Sequence, residues 1–358
     1  MAFKKIGVLT SGGDAPGMNA CVKAVVNRAA EMGIEVVGII GGYAGLISGD
    51  IVPMTREMVN GAMTVGGTRL YSSRCPEFKT EEAQLKAVET CKREGIEALI
   101  CIGGDGTFRG ATDMTKHGIP SIGVPGTIDN DITATDYTIG LDTSTNTTLR
   151  MIDNLKDTCE SHARLNVVEV MGRDCGQIAL YAAIAGAAVA VAIPEISFDE
   201  AAAIKRIADL REMGKRGMIV VVSEGVINPD GTHYAETFAK KIEAETGVET
   251  KFARFSHVVR GGRPTMRDRA TAANMSVKAV ELLAEGKSNV VMCELDGFIR
   301  PVDIQFALIA DRMYKNKLKD GDLDNFSAEE LESMKQLCEK RRAEIENLYK
   351  VANSIGFW

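Results

Sequence analysis

Residues 5–17 read KIGVLTSGGDAPG, in which the apolar run Lys5–Leu9 is followed at once by a loop with two adjacent glycines and an aspartate. An amphipathic helix is predicted after this loop, around Met18–Met32. The same unit of apolar strand, Gly- or Asp-bearing loop and helix recurs along the chain. Continuous apolar strands that alternate with helices are typical of parallel sheets with helices on both faces. The sequence therefore predicts an α/β fold.

Further runs rich in Val and Ile extend this pattern through most of the chain. The predicted strands are Ile34–Ile40, Ala98–Ile102, Ser121–Val124, Asn166–Val170, Val189–Ile193, Met218–Ser223 and Asn289–Glu294. The predicted helices are Glu81–Arg93, Ser144–Lys156, Phe198–Met213 and Asp268–Ala284. With 358 residues, we expect two doubly wound lobes with mainly parallel sheets.

The tail after about Leu323 has a different pattern. Ser327 and Glu330 form a capping box, and apolar residues recur after it at helical spacing up to Leu348. We expect a long amphipathic helix there, a C-terminal extension that docks on the body of the protein or on another subunit.

Composition excludes several classes of function. The net charge of −7 argues against a general nucleic-acid binder, and no apolar run is long enough to cross a bilayer. The first residues show no cleavable signal pattern. The eight cysteines include no CxxC pair, which favours reduced, buried thiols over a metal site or disulfides. We expect a cytoplasmic protein with no nucleic-acid or membrane partner.

Two glycine-rich loops at predicted strand ends suit phosphate binding. In Thr10–Gly17 and Gly103–Thr107, glycines let backbone N–H groups approach a phosphate, and a helix N-terminus follows. Asp105 adds a hard oxygen ligand for Mg²⁺ on a triphosphate. The simpler interpretations are a tight turn for the first loop and a helix N-cap by Asp105 or Thr107 for the second.

A third loop, Pro125–Asp131, contains the carboxylates Asp129 and Asp131. These residues could be turn formers. Phosphoryl transfer to a hydroxyl, however, needs one carboxylate to accept the proton and another to hold or orient the metal. Because ligands of open parallel sheets bind past the carboxyl ends of the strands, the three loops together favour one phosphoryl-transfer site.

Five separated motifs then resemble one family. They are LTSGGDAPGMNA (9–20), IGGDGT (102–107), PGTIDND (125–131), VVEVMGR (167–173) and the run His257–Gly262. In this order they resemble the 6-phosphofructokinase family, and the resemblance extends from Lys4 to about Lys317. It implies an enzyme that uses ATP and Mg²⁺ to phosphorylate the 1-hydroxyl of fructose 6-phosphate. It also implies three regions: an ATP-binding lobe (1–139 and about 258–308), a fructose 6-phosphate lobe (140–257 and about 309–322) and a helical tail (323–358).

The resemblance implies a role for each matching residue. The residues that would line ATP are Gly12, Arg74, Cys75, Gly104, Asp105, Gly106 and Thr107, with Asp105 as the metal ligand. The residues with catalytic roles would be Asp129 as the base, Arg74 and Thr127 at the transferring phosphoryl group, Arg173, and Asp131 beside the base. Taken alone, Arg74 would more simply be a solvated loop charge.

The same resemblance implies the sugar-phosphate site. Its members would be Thr127, Ile128, Asp129, Arg164, Met171, Gly172, Arg173, Glu224, Lys251, His257, Val258, Val259 and Arg260. In the family, the residues at the positions of Arg164 and Lys251 reach in from a neighbouring subunit, so a homo-oligomer, usually a tetramer, is implied. Without the family match, Glu224 would be an exposed turn acid and His257 a core histidine.

Two departures from the family pattern are visible. Lys251 stands where the family more often has Arg, which keeps the charge and loses the forked geometry. At the positions of the bacterial effector site, Lys23, Arg56 and Lys156 keep positive charge, whereas Asn27, Val189 and Gly217 replace an arginine, a glutamate and a histidine. We therefore expect a weak response to ADP or phosphoenolpyruvate.

Three alternatives remain open on sequence alone. A pyrophosphate-dependent phosphofructokinase typically carries Asp and Lys where this chain has Gly106 and Gly126, so ATP is favoured as donor. A catalytically silent nucleotide sensor would lack the base, the metal ligand or the arginine, all of which are present. Sedoheptulose 7-phosphate remains an alternative acceptor.

Overall fold

The computed structural model describes residues 3–356, which form two compact units. The first unit comprises residues 3–128, 132–143 and 260–338, and the second comprises 129–131, 144–259 and 339–356. These bounds differ from the predicted lobes. Residues 140–143 and 309–322 belong to the first unit, residues 129–131 and 258–259 belong to the second, and the predicted tail divides between Cys338 and Glu339.

Eleven strands are present among the described residues. In chain order they are β1 (Lys5–Thr10), β2 (Glu35–Ile39), β3 (Ile51–Met54), β4 (Ala98–Gly103), β5 (Ser121–Pro125), β6 (Leu165–Val170), β7 (Ala190–Ala192), β8 (Met218–Ser223), β9 (Thr250–Arg254), β10 (Val290–Leu295) and β11 (Phe298–Asp303).

Eleven α-helices accompany them within residues 3–356. In chain order they are α1 (Met18–Glu31), α2 (Tyr43–Ser48), α3 (Glu81–Glu94), α4 (Asp105–Lys116), α5 (Leu141–His162), α6 (Gln177–Ala185), α7 (Glu200–Glu212), α8 (Tyr234–Thr246), α9 (Met266–Ala284), α10 (Ile304–Tyr314) and α11 (Ala328–Ile355). None of these helices is long and apolar enough to cross a membrane.

The first unit is built on a seven-stranded sheet with the order β11-β10-β5-β4-β1-β2-β3. The five inner strands run parallel, and the edge strands β3 and β11 are antiparallel to their neighbours. Strand β4, at the centre, is buried along its whole length, as a strand covered by helices on both faces must be. The parallel order places the ends of β1, β4 and β5 side by side.

The second unit is built on a smaller, wholly parallel sheet with the order β7-β8-β6-β9. Its core contains the apolar residues of β6 and β8 packed against α7 and α8. The predicted α/β class, with two mainly parallel sheets and a helical extension, is confirmed. The expected thiol state is also found, since all eight cysteines are free and seven of them are buried.

Helix α11 forms the predicted extension, and its capping box is present. The hydroxyl of Ser327 accepts from the N–H of Glu330 at 3.2 Å, and the Glu330 carboxylate accepts from the N–H of Ser327 at 2.8 Å. Near its start, Met334 packs against Ile309 and Ala310 of α10. Residues 339–355 of the helix belong to the second unit.

Candidate active site

In the first unit, the three predicted loops begin side by side and are joined by hydrogen bonds. The N–H of Ser11 donates to the carbonyl of Ile102 at 3.0 Å, and the Thr107 hydroxyl donates to the carbonyl of Ser11 at 3.2 Å. The N–H of Gly126 donates to the carbonyl of Gly103 at 3.0 Å. The loops after β1, β4 and β5 therefore form one continuous edge, as the strand order requires.

Glycines along this edge are of two kinds. A Cβ at Gly104 or Gly106 would meet no atom within 4 Å, and one at Gly12 would meet only the Thr107 hydroxyl, at 3.9 Å. By contrast, a Cβ at Gly103 would lie 2.3 Å from that hydroxyl and 2.4 Å from the Ser11 carbonyl. Gly103 is thus needed for loop packing, whereas the other three leave open space against the backbone.

Helix α4 begins at this open space. Its N-cap is Gly104, and no side chain caps the helix. Capping by Asp105 or Thr107, the simpler interpretation of this loop, is therefore wrong. The first N–H groups of the helix remain available to an anion, and the helix dipole favours negative charge at this end.

The carboxylate of Asp105 lies in the first turn of α4, one third exposed, and forms an ion pair with Arg109 one turn along the helix. Within residues 3–356, no group of three or more His, Cys, Asp or Glu side chains is arranged to hold a metal. Mg²⁺ commonly binds one or two carboxylates together with substrate phosphates. A single accessible carboxylate beside an open anion site fits that mode.

The segment that contains Arg74 is attached to the first loop. The Ser72 hydroxyl donates to the carbonyl of Gly12 at 2.6 Å, and the N–H of Gly12 donates to the carbonyl of Ser73 at 3.3 Å. Arg74 itself is exposed, and its neighbour Cys75 is partly buried. Two hydrogen bonds therefore hold Ser72 and Ser73, which directly precede Arg74, beside the open glycine. The exposure of Arg74 fits both interpretations, a phosphate contact and a solvated loop charge.

The third loop passes from the first unit into the second at Ile128. Ile128 is fully buried, and the carbonyl of Thr127 accepts from the Thr138 hydroxyl at 2.6 Å. Asp129 is 2% exposed, and its Oδ2 lies 3.5 Å from Nε of Arg173. The burial of the Asp129 carboxylate beside an arginine favours a role in a site over that of a turn former.

Arg173 lies in a turn that Glu224 holds. One oxygen of the Glu224 carboxylate accepts from the N–H groups of Gly172, at 3.2 Å, and Arg173, at 3.0 Å. The parallel register pairs Val170 with Ser223, so both segments leave their strands at the same edge. Glu224 therefore positions the turn in this structure, and its second oxygen can still accept from a ligand. Met171, just before the turn, is 7% exposed.

Arg164 and Lys251 lie together at the opposite edge of the same sheet. Nε of Arg164 is 2.7 Å from one oxygen of Glu249, and Nζ of Lys251 is 3.0 Å from the other. Hydrogen bonds from Arg164 and then Lys251 lower the pKa of the Glu249 carboxyl. Strand β6 separates this pair from the Arg173 turn by roughly 17 Å at about 3.3 Å per residue. Within one chain, the two groups therefore do not form one site.

Arg254, the next arginine after Lys251, pairs with a carboxylate on the other face of the sheet. It lies three residues after Lys251 on β9, and its Nε is 2.6 Å from the buried carboxylate of Glu169. Residues three apart on a strand point to opposite faces, so Arg254 does not replace the arginine that the family more often has at position 251.

The run after β9 divides between the units. His257 is exposed, so it is not the core histidine that was the alternative. Val258 is 56% exposed, whereas Val259 is fully buried and can offer a ligand only its backbone. Arg260 belongs to the first unit, where its Nη1 donates to the carbonyl of Asp14 at 3.2 Å. The structure thus places Arg260 beside the first loop.

Of the positions that the resemblance assigns to an effector site, one lies in an apolar interior. Val189 is 1% exposed and belongs to the core of the second unit. Lys156 donates to the carbonyl of Gly186 at 2.7 Å, and Arg56 donates to the carbonyl of Asn27 at 3.4 Å. Gly217, with φ of 61°, packs against Glu160.

The sequence interpretation missed two residues that shape the candidate site. Glu249 gathers Arg164 and Lys251, and a sign was available, because Glu249 and Lys251 alternate with Thr250 as the two faces of a strand do. Asn130 adopts φ of 50°, the left-handed region that Asn tolerates better than most residues. Its place between two aspartates could have indicated that conformation.

Comparisons with known proteins agree with this arrangement of motifs. The family model described as Phosphofructokinase matches residues 5–283. The ATP-dependent 6-phosphofructokinase 1 of Clostridium perfringens is 48% identical over 316 residues, 88% of this chain and 97% of the relative. The ATP-dependent 6-phosphofructokinase of Bacillus subtilis is 50% identical over 285 residues, 80% of this chain and 88% of the relative.

Solved structures show the same fold. The T-state phosphofructokinase of Pichia pastoris superposes with a TM-score of 0.82 at 32% identity and covers 95% of this chain, which spans 39% of that longer chain. The pyrophosphate-dependent phosphofructokinase of Nitrosospira multiformis gives a TM-score of 0.75 at 22% identity over 86% of this chain and 84% of its own, a likeness of fold alone. With a family model over most of its length and curated relatives near 50% identity, this chain belongs to the phosphofructokinase family.

Proposed function

We propose that this chain is an ATP-dependent 6-phosphofructokinase, which transfers the γ-phosphoryl group of ATP to the 1-hydroxyl of fructose 6-phosphate. The observation that carries this proposal is 48% identity to an enzyme of that name over 97% of the relative's length. The buried Asp129 carboxylate with Arg173 beside it, and the open glycine edge, supply the side chains and the space that this chemistry needs.

On the donor side, backbone groups bind ATP. The N–H groups at the start of α4 and beside Gly12 hold the phosphates, since Gly12, Gly104 and Gly106 leave that space open. Arg74 neutralises charge on the transferring phosphoryl oxygens. Asp105 would hold Mg²⁺, which would offset the negative charge of the phosphate groups during transfer.

On the acceptor side, Asp129 accepts the proton of the 1-hydroxyl. The hydroxyl oxygen forms a bond to the γ-phosphorus, and the bond between that phosphorus and the β–γ bridging oxygen breaks, so ADP leaves. Arg173 keeps the Asp129 carboxylate oriented and Thr127 contacts the transferring group, while Asp131 supports the base. Glu224 fixes the turn that carries Arg173 and binds a sugar hydroxyl through its second oxygen.

The 6-phosphate group of the sugar is bound by His257, Arg260 and two cations of a neighbouring subunit, Arg164 and Lys251. Their roughly 17 Å separation from the Arg173 turn of their own chain, at about 3.3 Å per residue of β6, supports this sharing. The functional form is then at least a dimer, and we propose a tetramer as in the family. We also propose a cytoplasmic location, in keeping with eight free thiols.

A coupled assay tests the donor and the acceptor together. The purified protein is given fructose 6-phosphate and Mg²⁺ with either ATP or pyrophosphate, and the product is identified by NMR as phosphorylated at the 1-oxygen. We expect turnover with ATP alone. Turnover with pyrophosphate alone overturns the assignment of donor, and no turnover with either favours a nucleotide sensor. Asp129→Asn, prepared identically, controls for contaminating kinase.

Site sharing is tested by mixing two defective subunits. Arg164→Ala is impaired at the subunit edge that serves its neighbour, and Asp129→Asn lacks the base. After the two proteins are unfolded and refolded together, some sites combine an intact base with an intact neighbouring edge. We expect activity at low fructose 6-phosphate above that of either parent, and the parents' activity alone would contradict sharing.

A further inference from the structure

Helix α11 carries an arginine in its apolar stripe. The residues of the helix that are almost fully buried recur at spacings of three, four and seven: Met334, Cys338, Arg341, Ile345 and Ala352. Arg341 is 5% exposed, although the neighbouring Arg342 is exposed. Burial of a guanidinium is unfavourable unless its donors are satisfied and its charge is paired. The partners of Arg341 therefore indicate why an arginine is at this position.

Arg341 binds the turn that contains the proposed base. Its Nη2 donates to the main-chain carbonyl of Asn130, and its Nη1 lies 3.3 Å from Oε2 of Glu344. Nδ2 of Asn130 donates to Oε1 of Gln177, and Nε2 of Gln177 donates to Oε1 of Glu344 at 3.0 Å. Arg341, Asn130, Gln177 and Glu344 thus form a closed ring of hydrogen bonds, and all four belong to the second unit.

The ring holds an uncommon backbone conformation. Asn130 has φ of 50°, in the left-handed region that Asn tolerates better than most residues, and the hydrogen bonds of the ring fix this conformation. Both Asn130 and Gln177 are fully buried, and the Cys175 thiol also donates to the Asn130 carbonyl, at 3.8 Å. Because Asn130 follows Asp129 directly, a change in the backbone at Asn130 moves the carboxylate of the base.

The far end of α11 is attached to the same unit. Nη1 of Arg206 donates to the carbonyl of Asn353 at 3.1 Å, and Nζ of Lys215 donates to the carbonyl of Gly356 at 3.3 Å. The helix that contains Arg341 is therefore fixed to the second unit at its C-terminal end as well. This attachment gives the Arg341 guanidinium a defined position from which it binds the turn.

We propose that Arg341 is a positioning residue for phosphoryl transfer, through which α11 sets the carboxylate of Asp129. The proposal rests on the proposed function. Arg341 contacts no reacting atom, and it lies beyond the segment, residues 5–283, that the family model matches. The C-terminal extension thereby takes part in the arrangement of the base, besides covering apolar surface.

Full-length Arg341→Ala, Arg341→Lys and the matched surface control Arg342→Ala are compared with the wild type. We expect Arg341→Ala to lower kcat by about tenfold to a hundredfold, the loss typical of a misplacement of about 1 Å. The KM for ATP should change by less than about twofold, because the donor residues are untouched. Guanidinium ion at millimolar concentration should restore part of the lost kcat. Arg342→Ala should behave as the wild type.

Arg341→Lys keeps the charge but has one donor group in place of the forked guanidinium, so its kcat should lie between those of the wild type and Arg341→Ala. If Arg341→Ala does not fold, Arg341→Lys tests the proposal. Wild-type kcat in the Arg341 variants overturns the proposal. Equal losses of kcat and of ATP affinity, without rescue, also overturn it, because they indicate general damage. If the wild type is inactive, the proposed function and this inference are both wrong. If the wild type and the Arg341 variants are equally active, only this inference is wrong.

Discussion

The proposed donor and acceptor residues are built by different means. In the first unit, Gly12, Gly104 and Gly106 leave a bare backbone edge, and few charged side chains are involved. In the second unit, charged side chains form ion pairs with one another. Arg173 pairs with Asp129, and Glu249 pairs with both Arg164 and Lys251. Phosphates can be bound by main-chain N–H groups, whereas proton transfer needs a carboxylate in one orientation. The contrast predicts that removal of charged side chains matters most in the second unit. In the first unit, side chains added at the glycines matter most, through their bulk or their charge.

The largest effect is expected from Asp129→Asn. The substitution keeps the volume of a buried side chain and removes the base, so kcat should fall by on the order of 10² to 10⁴. Steady-state kinetics, with ATP binding measured separately by calorimetry, check this outcome. ATP binding should be retained, and near-wild-type turnover would show that Asp129 is not the base.

The second-largest effect is expected from a substitution in the glycine edge of the first unit. Gly106→Asp meets no protein atom within 4 Å at its Cβ, so the chain should fold normally. Its carboxylate would enter the phosphate space, and the KM for ATP should rise by about tenfold or more with little change in that for fructose 6-phosphate. Gly106→Asn controls for size without charge. An unchanged KM for ATP in the Asp variant would mean that phosphates do not bind there.

A smaller effect is expected at Lys251. Removal of its charge in Lys251→Ala should raise the KM for fructose 6-phosphate by about threefold to tenfold, since one cation of several is lost. Lys251→Arg restores the forked geometry and should lower that KM below the wild-type value. Saturation curves for the sugar at fixed Mg·ATP distinguish the variants. An unchanged KM for fructose 6-phosphate in Lys251→Ala would show that Lys251 does not bind the sugar phosphate.

The smallest effect is expected from effectors. Val189 lies in the core of the second unit, where it cannot ligate a metal. Allosteric coupling requires a ligand that binds one state better than another, so ADP and phosphoenolpyruvate should shift half-saturation by fructose 6-phosphate by less than about tenfold. Saturation curves with and without each effector measure the shift. A larger shift would show that another site binds these ligands.

The sequence predicted the inner strands and missed three of the four edge strands. Inner strands are covered on both faces, so they are continuously apolar and easy to recognise. The missed strands are β3, β9 and β11, whose sequences are IVPM, TKFAR and FIRPVD. Strands β9 and β11 carry polar residues, and β3 and β11 contain the proline that only edge strands tolerate.

For the candidate site, sequence motifs predicted where the loops lie, but not which side chains hold them. The spacing of glycines and aspartates was sufficient to place the loops at strand ends. It could not show that Glu224 holds the Arg173 turn through backbone N–H groups, because that contact depends on the register of β6 with β8. The burial of Arg341 was equally hidden, since an arginine on an amphipathic helix is normally solvated.

The strand order of the first sheet also constrains how the chain is made. Strands β1 to β5 leave the ribosome within the first 125 residues, whereas β10, the parallel neighbour of β5, begins only at Val290. The second sheet, between them, has all its strands from 165 to 254 and can pair them during synthesis. Until β10 emerges, β5 presents an open edge, the kind of surface that invites pairing with other nascent chains. At about 5–20 residues per second, that exposure lasts on the order of ten seconds or more, so chaperone demand should concentrate on this edge.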